Sequence, residues 1–171
     1  ISGVAVSDTT TDDDAGRLAL TDGRTLSADL VVGADTRFSE SRRRMGIAAQ
    51  MNDFGRVAIV CRMEHQLPHD NIAWECFHYG RTLAVLPMPG RASSIVITVP
   101  ADLAQQIAGM SEAEFDTDVA QRFGHRLGQM RLVGERHTYP LVAVHANRFY
   151  ARRFALIGDA AHGIHPIAGQ G

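Results

Sequence analysis

The last nineteen residues, Arg153–Gly171, constrain the fold of this chain more than any other stretch. Phe154–Ile157 is a short apolar run, and Gly158 and Asp159 follow it directly. Such a run, ending at a glycine, is typical of a buried parallel strand followed by a turn. Open α/β sheets bind ligands at the carboxyl ends of these strands, where Asp159 would project. A carboxylate there can accept hydrogen bonds from the hydroxyl groups of a sugar or polyol.

The loop after this strand carries residues that favour close approach of a flat ligand. Pro166 restricts the backbone, while Gly169 and Gly171 allow backbone N–H groups to come near the ligand. These ingredients are common in proteins. Composition alone therefore leaves open a plain turn in which Asp159 only caps a helix.

A second segment, Asp29–Asp35, repeats the pattern of an apolar strand that ends on a carboxylate. A short helix is predicted over residues 40–45, and Ser39 is a suitable N-cap for it. At least one of the three arginines at 42–44 is expected only to face solvent.

The literal order of residues in both segments resembles one known family. Gly158–His162, with Pro166 and then Gly169–Gly171, resembles the second flavin-binding motif of the FAD-dependent aromatic hydroxylases. Within that superfamily, His165–Gly171 resembles the start of the signature of the ubiquinone-biosynthesis hydroxylases. The segment Asp29–Arg42 resembles the middle fingerprint of the same enzymes.

This resemblance implies a flavin site built from both motifs. It assigns Asp159 to the ribityl chain of FAD and Pro166–Gly171 to the isoalloxazine ring. Thr36 stands where the family usually has glycine, and a positive φ there would strain it by about 1–3 kcal/mol. No catalytic residue is predicted, and the predicted cofactor-binding residues are Gly158, Asp159, Pro166, Gly169, Gln170, Gly171, Asp35, Ser39 and Arg42.

The regions outside the two motifs read mainly as strands. Residues 1–7 predict a strand and residues 8–16 an acidic loop, followed by strands over 17–20 and 25–27. An antiparallel meander is predicted in the middle of the chain. Its strands are expected at residues 57–64, 72–79, 82–87 and 93–99.

Two helices and a further strand are predicted after the meander. One helix covers Ala101–Ala108, and a second opens with a capping box at Ser111–Glu114 and runs to about Leu127. The strand over residues 131–144 contains Pro140, which favours a sheet edge or a bend.

The predicted strand over residues 72–79 carries aromatic side chains on both of its faces. Trp74, Cys76 and His78 share one face, and Glu75, Phe77 and Tyr79 share the other. In the family, this sheet covers the flavin and forms the floor of the substrate pocket. The sequence does not decide which face does so, and plain core packing explains the aromatic residues equally well.

The expected fold class is α/β, in three parts. FAD-binding, Rossmann-like pieces at residues 1–54 and 151–171 flank an α+β substrate domain at residues 55–150 with a mainly antiparallel sheet. A Gly-x-Gly-x-x-Gly turn for the dinucleotide pyrophosphate is absent, so the chain is expected to be an internal part of a longer enzyme. Taken alone, it is expected to be inactive and to hold FAD weakly.

Charge and composition limit the classes of partner that this chain is expected to bind. A formal net charge of −2 gives no general attraction to nucleic acid. Cys61 and Cys76 are expected to be free thiols, and no metal site is predicted, although His162 and His165 are three residues apart. No membrane span is visible. A cytoplasmic location is expected, with peripheral membrane or biosynthetic-complex association and the oligomeric state left open.

The resemblance implies a monooxygenase that binds FAD, uses NADH or NADPH as reductant, and hydroxylates a phenolic ring. The expected substrate is a polyprenyl phenol of ubiquinone biosynthesis. Three alternatives stay open at this point. They are a hydroxylase of a small soluble aromatic compound, a reductase or halogenase with the same motifs, and a flavin-free interaction module.

Overall fold

The structure, a computed structural model, describes residues 1–164. The chain divides into two compact units. The first unit contains Ile1–Phe54 and the segment from Val142 onward, and the second contains Gly55–Leu141. The assignment of residues to a flavin-binding and a substrate domain stays a prediction.

Eleven strands and four helices follow one another along the described residues. In chain order they are β1 (Val6–Thr11), β2 (Gly16–Leu20), β3 (Thr25–Ala28), β4 (Val31–Gly33), α1 (Glu40–Arg44), β5 (Ala49–His65), β6 (Trp74–His78), β7 (Arg81–Met88), β8 (Ala92–Pro100), α2 (Ala101–Ala108), α3 (Glu112–Arg122), β9 (Met130–Ala146), β10 (Tyr150–Ala151), β11 (Phe154–Leu156) and α4 (Asp159–His162).

In the first unit, strands β1, β2 and β3 form an antiparallel sheet in that order. The predicted loop over residues 8–16 is too long, because β1 continues through Thr11. Thr9 is buried and lies opposite Leu18 of β2. The turn that remains is held by Asp12, whose Oδ1 accepts the N–H groups of Asp14 and Ala15, both at 2.9 Å.

The second sheet of this unit has the order β10-β11-β4. Strands β11 and β4 are parallel, with Phe154 opposite Val31 and Leu156 opposite Gly33, so the predicted parallel pair is confirmed. The expectation that these strands are buried is correct for one face only. Val31, Phe154 and Leu156 join the core, whereas 49% of Val32 is exposed.

The five-stranded sheet has the order β6-β7-β8-β5-β9, and the pairs β6–β7, β7–β8 and β8–β5 are antiparallel. The predicted strands are therefore confirmed as one mainly antiparallel sheet. The simple meander is wrong, because β5 pairs with β8 rather than with β6. The connection between β5 and β6 is long and contains Asp70 and Asn71 with φ values of 51° and 56°. This is a Greek-key order of strands.

Helices α2 and α3 contribute to the apolar core of the second unit. The predicted capping box at the start of α3 is confirmed, with Ser111 and Glu114 bonded reciprocally. The helix ends at Arg122 instead of Leu127, because Gly124 and His125 have positive φ values of 68° and 53°. Leu127 is nevertheless buried, so its apolar character reflects core packing outside the helix.

The last strand of the sheet, β9, runs through Pro140 without interruption. It lies at the edge of the strand order, where a residue without an N–H donor is tolerated. Cys61 and Cys76 are free thiols, as predicted, and burial raises the pKa of Cys61 to about 12. Across residues 1–164, no helix has the length and apolar character that a bilayer span requires.

Candidate functional site

The candidate site lies at the carboxyl ends of β4 and β11 in the first unit. Because these strands are parallel, their carboxyl ends lie at the same edge of the sheet. The N–H group of Ile157 still bonds the carbonyl of Gly33, at 3.0 Å. Asp35 and Asp159 each follow within two residues of this last pairing, so the two predicted carboxylates come from neighbouring strand ends.

Gly158 forms the turn from β11 into α4. Its φ of 57° and ψ of −147° lie in a region open essentially only to glycine. Its carbonyl accepts the N–H groups of Ala161 at 3.0 Å and His162 at 2.9 Å, which begins the short helix. The predicted turn at Gly158 is therefore confirmed, and a side chain at this position would strain it.

Asp159 is the first residue of α4 and is not its cap. The cap position belongs to Gly158, and no side-chain capping bond is present there. The Oδ2 atom of Asp159 lies 3.3 Å from Nη2 of Arg37, and 37% of the aspartate side chain is exposed. The carboxylate therefore keeps the capacity to accept further hydrogen bonds from a ligand.

Asp35 organises the first turn of α1. Its Oδ1 accepts the hydroxyl of Ser39 at 2.6 Å, and its Oδ2 accepts the N–H and hydroxyl of Ser41 at 3.1 and 3.3 Å. Partial burial acts to raise the pKa of Asp35, but these hydrogen bonds outweigh it and lower the pKa below its ordinary value. Ser39 accepts the N–H of Arg42 at 2.9 Å, which confirms it as the N-cap.

Arg42 connects the two motifs. Its side chain is buried, with 1% exposed. Its Nη1 donates to the carbonyl of Ala160 at 2.8 Å and its Nη2 to the carbonyl of Arg37 at 3.1 Å. Burial lowers the pKa of Arg42, and the negative charge of Asp35 acts in the opposite direction. A buried guanidinium thus fixes the backbone on which Asp159 is presented.

The two arginines after Arg42 behave differently. Arg43 is exposed and pairs with Glu40 on the same helix, and Arg44 is exposed and donates to the carbonyl of Val6 at 3.0 Å. Neither side chain reaches the strand ends through these contacts. Among the three, only Arg42 bonds a described residue of the second motif, Ala160.

Among residues 1–164, the structure brings the predicted residues of both motifs into one polar cluster, and it adds Arg37, which the sequence interpretation missed. Arg37 lies in the first motif, the segment Asp29–Arg42, at a position that the fingerprint leaves unspecified. Its place two residues after Asp35 is the only signal for it. Thr36 is not among the described non-glycine residues with a positive φ, so the backbone strain considered from the sequence is absent there. The predicted residues Pro166, Gly169, Gln170 and Gly171 lie outside the described residues.

His162 of α4 faces His145 of β9. Their Nδ1 atoms are 2.9 Å apart, and the two residues form an isolated antiparallel bridge. In the described part of the chain, no group of three or more His, Cys, Asp or Glu residues could hold a metal ion. His165, the other member of the histidine pair considered from the sequence, lies beyond residue 164.

The outer face of the sheet in the second unit is defined here by Phe77, Thr82, Ala84, Val60, Val96 and Thr98. Trp74 and Cys76 pack against the core instead, as the core-packing interpretation of the aromatic residues allowed. Phe77 is 67% exposed and lies opposite Thr82, which in turn lies opposite Thr98 of β8. The outer face therefore carries small and apolar side chains and one exposed aromatic ring, together with the exposed charged side chains of Glu75 and Arg62.

Residues 4–171 match the protein family described as FAD binding domain. This chain belongs to that family. It is 43% identical to ubiquinone hydroxylase UbiM of Neisseria meningitidis over 171 residues, which make up 100% of this chain and 37% of the relative. It is 45% identical to ubiquinone hydroxylase UbiL of Rhodospirillum rubrum over 152 residues, or 89% of this chain and 35% of the relative.

The chain thus spans little more than a third of the length of these curated relatives. The family match and the names of these relatives together confirm the resemblance to FAD-dependent hydroxylases and, within them, to the ubiquinone-biosynthesis hydroxylases. Among solved structures, PqsL of Pseudomonas aeruginosa in complex with 2-aminobenzoylacetate has a TM-score of 0.78 at 22% identity. That match covers 98% of this chain and 48% of PqsL, and it confirms the predicted α/β fold class.

Proposed function

We propose that the protein is an FAD-dependent monooxygenase that uses NADH or NADPH and hydroxylates the phenolic ring of a polyprenyl compound in ubiquinone biosynthesis. The observation that supports it most directly is the polar cluster at the ends of β4 and β11. There Arg42 bonds the carbonyl of Ala160, and Arg37 pairs with Asp159. The two relatives named ubiquinone hydroxylases support the choice of substrate class.

The chemistry of this cluster fits FAD. The partly exposed carboxylate of Asp159, beside a glycine turn at a parallel strand end, can accept ribityl hydroxyl groups. When bound, FAD would supply the redox chemistry with reductant and O₂. We propose that Gly158 and Asp159 hold the ribityl chain and that Pro166, Gly169, Gln170 and Gly171 lie along the ring system.

Residues of the first motif have a different proposed role. Because Arg42 is buried and its Nη1 and Nη2 donate to carbonyl groups of the chain, we propose that it positions α4 and does not touch the cofactor. Asp35 and Ser39 hold the helix that carries Arg42. These three residues would therefore act on flavin affinity through the placement of Asp159.

We further propose the domain arrangement expected from the sequence, with residues 1–54 and 151–171 in the flavin-binding domain and residues 55–150 in the substrate domain. Within the latter, the outer face would orient the substrate ring and exclude water from it. Phe77 is the exposed aromatic side chain on this face and could stack on a phenolic ring.

The direct test is a turnover assay on the whole protein loaded with FAD. A polyprenyl phenol should stimulate NADH or NADPH oxidation and O₂ consumption, and mass spectrometry should find one added oxygen atom in the product. A water-soluble phenol without the polyprenyl tail serves as the comparison substrate. Hydroxylation of the soluble phenol alone would overturn the polyprenyl assignment and leave the hydroxylase assignment intact.

The absorbance spectrum of the purified whole protein separates this proposal from a flavin-free interaction module. Bound flavin absorbs visible blue light, and the amino acids of this chain do not. A protein that neither retains nor rebinds FAD would overturn the enzyme proposal itself.

Because a polyprenyl tail partitions into lipid, we also propose peripheral association of the whole protein with the membrane that holds its substrate. Flotation with lipid vesicles should recover the protein in the vesicle fraction. Recovery only in the vesicle-free fraction would contradict this part of the proposal.

A further inference from the structure

A small cleft lies in the second unit, among residues that neither flavin motif contains. Its volume is about 240 Å³, and it is formed by the start of β7, the end of β8, helix α2 and the residues that follow it. Apolar side chains make up much of its wall. They are Val99, Leu103, Ile107 and Met110.

Arg81 is the charged residue of the cleft that is itself buried, with 6% exposed. Its Nη2 donates to Oδ2 of Asp118 at 2.7 Å. The other oxygen of that carboxylate, Oδ1, accepts Nε of Arg122 at 2.8 Å. One carboxylate therefore serves two guanidinium groups, Arg122 also lines the cleft, and the three side chains together carry one excess positive charge.

The Nε atom of Arg81 is buried and has no hydrogen-bond partner within residues 1–164. Buried donors are almost always satisfied in folded proteins, and an unsatisfied one commonly marks an ion or water that completes the site. Guanidinium groups bind carboxylates well because the planar donor groups match the two oxygen atoms. The cluster thus combines an unfilled donor with one excess positive charge, and an acceptor with negative charge would match both.

We propose that this cleft binds a small amphipathic carboxylate, with the carboxylate against Arg81 and Arg122 and the hydrocarbon body against α2. The apolar wall distinguishes such a ligand from inorganic anions, which cannot use it. The volume is below that of sites for drug-sized molecules, which begin at about 300 Å³, so a short-chain or medium-chain acid fits better than a long one. None of the residues that line this cleft belongs to either flavin motif.

Octanoate is the probe, titrated into the whole FAD-loaded protein and followed by calorimetry. Octanol supplies the same hydrocarbon body without charge, and inorganic phosphate supplies charge without the body. Octanoate should bind at least about tenfold more tightly than either, which corresponds to about 1.4 kcal/mol. Equal binding of octanol or of phosphate would overturn the proposed ligand class, as would no binding of octanoate.

Variants assign the binding to the cleft. Leu103→Glu places a negative charge on a residue that is 40% exposed, so the fold should tolerate it while octanoate affinity falls at least about tenfold. Leu67→Glu is the matched control, because Leu67 is 46% exposed in the same unit and does not line the cleft. Equal octanoate affinity in the two variants would show that the acid binds elsewhere and would overturn the proposal.

Arg81→Gln tests the cation itself. Octanoate affinity should fall at least about tenfold, while flavin absorbance and turnover of the FAD-loaded protein stay unchanged. Unchanged octanoate affinity in a folded Arg81→Gln protein would also overturn the proposal. If that variant does not fold, the Leu103→Glu and Leu67→Glu pair decides alone.

Discussion

The two units of the chain differ in the kind of interaction that stabilises the interior of each. In the second unit, α2, α3 and the five-stranded sheet share a large apolar core, in which Phe115 is fully buried. In the first unit the apolar core is smaller, and the largest fully buried side chain belongs to Arg42. Apolar burial tolerates some change in geometry, whereas a guanidinium bonded to two carbonyls fixes positions closely. The first unit thus contains the candidate-site residues, whose positions must be accurate.

The largest loss of stability is expected from the apolar core. Phe115→Ala removes a fully buried ring from α3 and should lower the free energy of unfolding by about 3–5 kcal/mol. Urea unfolding measures it, and Phe77→Ala is the control, because Phe77 is 67% exposed in the same unit. A loss of similar size in both variants would contradict the described division between core and outer face.

A smaller loss is expected from the polar link of the first unit. Arg42→Met removes the charged donor from the carbonyls of Ala160 and Arg37 and should lower the free energy of unfolding by about 1.5–3 kcal/mol. Flavin affinity of the whole protein should fall as well, because α4 loses its anchor. Arg43→Met is the control, since Arg43 is exposed. If the two variants bind FAD equally, Arg42 does not position the site.

The pH dependence of stability should report Asp35. Its pKa in the folded chain is lower than the ordinary 3.8, so the unfolded chain binds the proton more tightly. The stabilisation is therefore complete above pH 3.8 and is lost as the pH falls below that value. Asp35→Asn should lose less stability than the parent between pH 6 and pH 3. A parent-like Asp35→Asn profile would contradict this account.

Local sequence signals predicted much of this structure. Gly158 marked its turn, Ser39 its helix start, and the Ser111–Glu114 pair the capping box, because each depends on neighbouring residues alone. Pairing of β5 with β8 depends on residues that are far apart in sequence, and the alternation of apolar residues is the same in a meander. Sequence pattern therefore identified the strands and missed their order.

The sequence predicted residues of the candidate site but not the contacts that those residues make. Arg42 was expected near the cofactor because the segment Asp29–Arg42 resembles a fingerprint that lies near the cofactor in the family. Its burial follows from the carbonyls of Ala160 and Arg37, which only the folded chain brings around it. Arg37 was missed for the same reason, because its partner Asp159 is distant in sequence.

The central claim is that Asp159 holds FAD, and an FAD titration of the whole protein carrying Asp159→Ala tests it most directly. Losing a charge-assisted hydrogen bond of about 1.5–3 kcal/mol should weaken FAD binding by about one to two orders of magnitude. Asp159→Asn keeps one acceptor and should weaken it less.

The same substitution should change stability least of all those above. The Arg37–Asp159 pair is partly exposed, and such pairs contribute about 0–1 kcal/mol. Asp13→Ala is the matched control, since Asp13 is an exposed partner of Arg152 in the same unit. The account predicts that Asp159→Ala weakens FAD binding and that Asp13→Ala does not. Unchanged FAD affinity in a folded Asp159→Ala protein would contradict it.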